Sequence, residues 1–252
     1  MSGGLRLPDE KARMATIADH VRTALDDSSV RDEDVIRWID HGNGAPTDRR
    51  YWTLDPIDGT KGFLRGDQYA ICLALIENGR VKIGIIGCPA LEIDGVVGHL
   101  FVAKRGNGAW RMPLTSNNKN HDTTLPLPTR IRVNSEADSL VQSFEGSHGN
   151  HTAQQAIANA VGIQQIILMD SQAKYAMVAN GKAAFYLRLS SYAENIWDHA
   201  AGVVLVEEAG GKVSDCNGKP LGFSAAKMTG TSGVIVTNGV LHEKVLSALR
   251  DH

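Results

Sequence analysis

Asp55 and Asp58 stand three residues apart in the string Asp55-Pro56-Ile57-Asp58-Gly59-Thr60-Lys61-Gly62-Phe63, at the end of an apolar run. Mg²⁺ prefers hard oxygen ligands, usually one or two carboxylates completed by water and a substrate phosphate. The two aspartates offer those carboxylates, and a turn here leaves the Ile57 carbonyl as a neutral oxygen. Pro56 has no donor N–H and bends the strand, so alternation need not send Asp58 to the opposite face. Gly59 lets backbone approach a phosphate, and Thr60 can orient a water. An isolated Asp-Gly pair ordinarily does no more than turn a chain. The full string suits a divalent cation and a phosphate held side by side.

A third carboxylate comes from Ile196-Trp197-Asp198-His199-Ala200-Ala201-Gly202. Asp198 falls at the start of an expected helix, where its ordinary role is a cap or dipole partner worth about 0.5–2 kcal/mol. The small residues Ala200, Ala201, Gly202 and Ala209-Gly210-Gly211 let that helix pack close to neighbouring backbone, which makes Asp198 a rigid ligand. Three such carboxylates equip a metal-dependent phosphatase. Arg188 lies in an apolar strand, where an unpaired charge is costly, so a partner is expected. Lys174 reads equally well as a solvated helix charge. His148 alone reads as a loop residue, and Tyr175 as packing.

The elements that must position these groups follow from periodicity. Residues 8–25 read as an amphipathic helix with Met14, Ile17, Ala18, Val21 and Leu25 on one face. A short helix follows near 34–39. Strands are expected at 51–54, 69–76, 81–87, 96–104 and 109–111, with Asn78-Gly79 as a hairpin turn. Residues 115–129 read as a surface loop and a boundary. Strands at 131–133, 140–145, 163–169, 184–189, 211–214 and 233–237 then alternate with helices at 151–161, 171–180, 197–209 and 240–250, an α/β rhythm. Two parts are expected: 1–125, α+β with the acidic string, and 126–252, α/β with the remaining site residues.

The chain has 252 residues, enough for a proper core, with 42% hydrophobic and 21% charged residues. A formal net charge of −2 and no long basic run argue against a nucleic-acid polymer or an anionic membrane as partner. The apolar runs are strand-sized, too short to span a bilayer. The three cysteines, Cys72, Cys88 and Cys216, do not suggest a disulfide framework, and a cytoplasmic location is expected.

Asp55–Phe63 and Trp197–Gly202 resemble the two signatures of the inositol monophosphatase superfamily. Ser171-Gln172-Ala173-Lys174-Tyr175, Phe185-Tyr186-Leu187-Arg188-Leu189 and His148-Gly149-Asn150-His151 are similar to its 3′(2′),5′-bisphosphate nucleotidase branch. The resemblance implies a layered αβαβα sugar-phosphatase fold, mixing α+β and α/β, without the first helices. It implies a magnesium-dependent, lithium-sensitive monomer. The reaction would be removal of the 3′-phosphate of adenosine 3′,5′-bisphosphate, and of its sulfated form, in sulfur assimilation or nucleotide salvage. Asp55, Asp58 and Asp198 would hold metal, with the Ile57 carbonyl. Thr60 and Asp55 would serve the attack of water, with no phosphoenzyme. Gly59, Thr60, His148, Ser171, Lys174, Arg188 and Asp198 would contact substrate. That substrate carries about four negative charges near neutral pH, so cations at both ends make physical sense. An inositol polyphosphate 1-phosphatase, or a truncated, inactive nucleotide-binding homologue, remain alternatives.

The family also implies an upstream G-E-E segment, whose glutamate bridges the metals, and an upstream aspartate that works with the threonine. Neither is found in this sequence, and Asp9-Glu10 lacks a matching context. Weak metal binding and low turnover are therefore expected. A truncated form of an active enzyme, a degenerate nucleotide binder, and a carboxylate supplied from elsewhere are the three explanations. Intact downstream motifs favour the first.

Overall fold

The computed structural model describes residues 4–44, 49–114, 127–144, 150–190, 193–228 and 233–251. These fall into two compact units, within 1–47 and 48–252.

The first unit is a helix pair. Helix α1 spans Lys11–Leu25, preceded by a tight turn at Pro8–Glu10, and α2 spans Asp32–His41. Met14, Ala18, Val30, Val35 and Ile36 form its core. The expected face loses Leu25, which is 56% exposed. Asp26, just past it, turns left-handed (φ 51°) and ends the helix. Arg22 then ties the turn together, donating from Nε to the Val30 carbonyl (2.7 Å) and from Nη2 to Asp32 (2.9 Å).

The second unit holds two sheets. Strands β1 (Arg50–Asp58), β2 (Ala70–Glu77), β3 (Arg80–Ile93), β4 (Val96–Lys104), β5 (Gly108–Pro113) and β6 (Thr129–Ile131) form one antiparallel sheet in chain order. Asn78 and Gly79 both have positive φ, as a two-residue hairpin requires. The strand expected at 131–133 is instead β6 at 129–131, on the edge of this sheet. Arg130 pairs with Trp110 and its guanidinium lies 5.8 Å from the indole centre, while Ile131 is buried. Those contacts override the α/β rhythm that placed it in the later layer. Residues 115–126 of the expected loop lie outside the described residues.

The second sheet runs β10 (Lys212–Ser214), β11 (Val234–Thr237), β9 (Phe185–Arg188), β7 (Ser139–Gln142) and β8 (Gln165–Leu168). Strand β7 is parallel to β8 and β9, and the other pairs are antiparallel. Helices α4 (His151–Ala160), α5 (Ala173–Ala179), α6 (Ala200–Glu208) and α7 (His242–Arg250) stand near the expected places. Helix α6 is buried from Ala200 to Val206. It seats on β3 at Gly84, where a Cβ would come within 2.6 Å of the Ala201 carbonyl oxygen. Small residues on both sides make that approach possible, as the sequence implied.

Helix α7 is pinned to its sheet by a fully buried histidine. Ser214 donates its proton to the Asp215 carbonyl (2.7 Å), so His242 Nε2, 3.0 Å away, must be the donor to Ser214 Oγ. Nδ1 then accepts from Thr237 Oγ1 at 3.1 Å. Burial lowers the pKa of His242 from 6.5 to about 4, so the folded ring stays neutral while the unfolded one charges. Stability is therefore lost as pH falls from about 7 to 4, by about 3 kcal/mol for a shift of this size. Urea melts of wild type and His242→Gln should show the wild-type advantage shrinking over that window. An advantage independent of pH would contradict this.

Candidate active site

The acidic string closes β1 and opens a helix that periodicity did not reveal. Asp55 pairs with Cys72 and Asp58 with Ala70, and the register shifts between them. The irregularity at Pro56-Ile57 turns both carboxylates to one side, as the proline led us to expect. Gly59 takes φ +79° and caps α3 (Thr60–Arg65). A Cβ on Gly59 would lie 2.9 Å from Cβ of Ser171, so glycine is needed for conformation and for space. Ser171 is itself left-handed (φ 66°), an uncommon state for a residue with a side chain. The acidic string and the Ser171–Tyr175 string thus meet in direct backbone contact.

Asp198 ends a tight turn at Ile196–Asp198, with α6 starting two residues later, so it is a pre-helix residue rather than the helix cap. Carboxylate oxygens of Asp55, Asp58 and Asp198 all lie within 4.8 Å of one another. Burial, then the charge of Asp198, raises Asp55 from 3.8 to about 6. Burial also raises Asp58 to about 6, although Lys174 pulls the other way and Asp55 pushes it further. Asp198 is raised as well, chiefly by burial. Three crowded carboxylates that resist ionising fit a divalent cation, whose charge would relieve both costs.

The cavity they face has a volume of about 390 Å³ and is also lined by Ile57, Gly59, Thr60, Ser171, Lys174 and Arg188. The structure thus brings together every singled-out site residue except His148, which lies outside the described residues. Thr60 Oγ1 donates to the Ile57 carbonyl at 3.1 Å, leaving the oxygen of each with further acceptor capacity.

Lys174 is not a solvated helix charge. It is 4% exposed, donates to the Met169 carbonyl (3.3 Å) and lies 5.2 Å from the Tyr186 ring centre. Burial lowers its pKa to about 8, against the pull of Asp58. Arg188 has the partner that its apolar strand demanded. Nε and Nη2 donate to the two oxygens of Glu194 at 2.9 and 3.2 Å. Tyr175 is buried as expected, yet its hydroxyl is also hydrogen-bonded to His199 Nδ1 at 2.7 Å.

Sequence reasoning passed over Gln172 as an individual. Its backbone N–H donates to Asp58, its Nε2 to the Trp197 carbonyl (2.8 Å), and its Oε1 accepts from Gly202 N (3.1 Å). It also passed over Ser143, Asp170, Tyr186 and His199, which line the cavity. Tyr186 carried one signal, two residues before Arg188 and so on the same strand face. Ser143 carried none.

Two sheets, a buried helix packed on β3, and three converging carboxylates define a layered α/β protein built around an acidic centre. The sequence pattern of the inositol monophosphatase family matches residues 9–252, and the chain belongs to that family. The solved inositol monophosphatase from Anabaena (Nostoc) sp. PCC 7120 is similar, with a TM-score of 0.62, 26% identity, 81% of this chain and 73% of that chain covered. "3′(2′),5′-bisphosphate nucleotidase 1" of Candida albicans is 40% identical over 236 residues, covering 86% of this chain and 65% of the relative. "3′(2′),5′-bisphosphate nucleotidase" of Oryza sativa is 39% identical over 236 residues, covering 87% of this chain and 64% of the relative. The chain thus spans somewhat less than two thirds of the length of these relatives. No helix among the described residues is long and apolar enough to cross a membrane.

Proposed function

We propose that this site removes the 3′-phosphate of adenosine 3′,5′-bisphosphate with the help of Mg²⁺. The observation that carries the reading is one cavity lined by both signs of charge: the converging carboxylates of Asp55, Asp58 and Asp198, and the cations of Lys174 and Arg188. The names of the relatives support it. Asp55, Asp58 and Asp198 would hold the cation, with the Ile57 carbonyl oxygen beside them. A cation bound there supplies charge to the phosphate and makes water a better nucleophile at neutral pH. Thr60 would accept a hydrogen bond from that water and so aim it, while its own proton rests on Ile57. Gly59 and Thr60 would present backbone N–H groups to the leaving phosphate. Lys174 and Arg188 would bind the 5′-phosphate through charge-assisted hydrogen bonds, and Ser171 would add a neutral donor.

The test is phosphate release from adenosine 3′,5′-bisphosphate, adenosine 3′-monophosphate and an inositol bisphosphate, in Mg²⁺ and in EDTA. Release should need Mg²⁺ and be fastest from the nucleotide with both phosphates. Preference for the inositol substrate, or for the monophosphate, would overturn the reading.

A further inference from the structure

Glu194 does not line the cavity, and it is 2% exposed. A buried carboxylate is costly unless it is paired and hydrogen-bonded. Glu194 is engaged on both sides. Arg188 grips both of its oxygens, and His199 Nε2 faces Oε2 at 3.7 Å. The Tyr175 hydroxyl lies 2.7 Å from Nδ1 of the same ring.

The backbone around Glu194 is fixed as well. Its carbonyl accepts from Met228 N at 2.8 Å, Asn195 bridges to Lys227, and Ile196 N donates to the Ala226 carbonyl at 3.2 Å. Arg188 in turn sits at the end of β9, opposite Val234 of β11. A long, rotamer-rich side chain is thereby held at both its root and its head.

We propose that Glu194 is a positioning residue, which clamps the Arg188 guanidinium in the orientation that receives the second phosphate of the substrate. The clamp rests on the phosphate-binding role given to Arg188 above. Its charge-assisted fork fixes the plane of the guanidinium before any ligand arrives. An arginine immobilised in advance loses less freedom on binding a phosphate, so affinity rises without a new contact to the ligand. A carboxylate in this place also sets a limit. It attenuates the positive charge of Arg188, so tight binding depends on geometry more than on net charge.

Two readouts test this on the full chain. The first is the Arg188 Nε–H signal in ¹⁵N-edited spectra. It should be resolved in wild type and merge with the mobile arginines in Glu194→Gln. The second uses adenosine 5′-monophosphate, which carries only the second phosphate, against adenosine in calorimetry with Mg²⁺. Glu194→Gln should weaken the monophosphate by up to about tenfold, the scale of immobilising one rotamer-rich side chain, and leave adenosine unchanged. An unchanged Arg188 signal in the variant overturns the clamp. Wild type binding both probes equally would instead overturn the phosphate role of Arg188, while the signal still decides the clamp. Should Glu194→Gln fail to fold, Glu194→Asp keeps the charge on a shorter arm. It should move both readouts in the same direction, and a wild-type pattern there counts against the clamp.

Discussion

Asp58→Asn should make the metal-free protein more stable while removing its response to magnesium. The folded protein raises the Asp58 carboxyl from 3.8 to about 6, first through burial. At pH 7.5 the group is nonetheless ionised, so the fold carries a cost that the unfolded chain does not. A shift of about two units corresponds to about 3 kcal/mol. The attraction to Lys174 is already contained in that shift, and the asparagine amide is itself costly to bury, which leaves a net gain of roughly 1–3 kcal/mol. The backbone N–H of Gln172 keeps an acceptor in the asparagine carbonyl. The sign fixes the pH window. A folded carboxyl with a raised pKa binds its proton more tightly than the unfolded one. Its penalty is therefore full above about pH 6 and gone below about 3.8. The advantage of the variant should fade as pH falls through that range.

Urea melts in EDTA, then with added Mg²⁺, provide both measurements. Wild type should gain stability with Mg²⁺ by mass action, and the variant should gain little. A variant less stable than wild type in EDTA would show that Asp58 supports the fold rather than burdening it. An undiminished response to Mg²⁺ would remove Asp58 from the cation site.

Gly202→Ala should be strongly destabilising, by about 3 kcal/mol, the upper part of the range for overpacking a core. The added Cβ would lie 2.2 Å from Cγ of Tyr175 and 2.5–2.6 Å from the neighbouring ring carbons. The ring cannot step aside. It is 1% exposed, packs edge-on against Tyr186 at 5.3 Å and is tied to His199 through its hydroxyl. Helix α6 cannot withdraw either, because Gly84 and Ala201 already hold it against β3. Tyr175→Leu should recover part of the loss in the double variant, since it frees the contested space. Strictly additive losses would rule out the clash as the cause.

Much of this was readable before any coordinates. The Asn78-Gly79 hairpin, the bend at Pro56 and the tight seating of the helix after Asp198 each rest on local chemistry that a sequence displays. Helix α3 was hidden because six residues are too few to show a period. Strand β6 was misplaced because its partner, β5, lies across an intervening polar stretch. Lys174 could be read either way because burial of a lysine depends on what surrounds it in space, here Tyr186, Met169 and Asp58. Arg188 demanded a partner on physical grounds, yet nothing in Tyr192-Ala193-Glu194 marked Glu194 as that partner.

Gln172 gives this arrangement a thermodynamic character of its own. One residue touches Asp58 with its backbone and both Trp197 and Gly202 with its side chain, in the same turn that carries Ser171 and Lys174. A ligand that draws Ser171 or Lys174 toward itself must also change the surroundings of Asp58. Linkage then runs in both directions. If the site takes the proposed cation and nucleotide, whatever factor the cation contributes to nucleotide affinity the nucleotide returns to the cation.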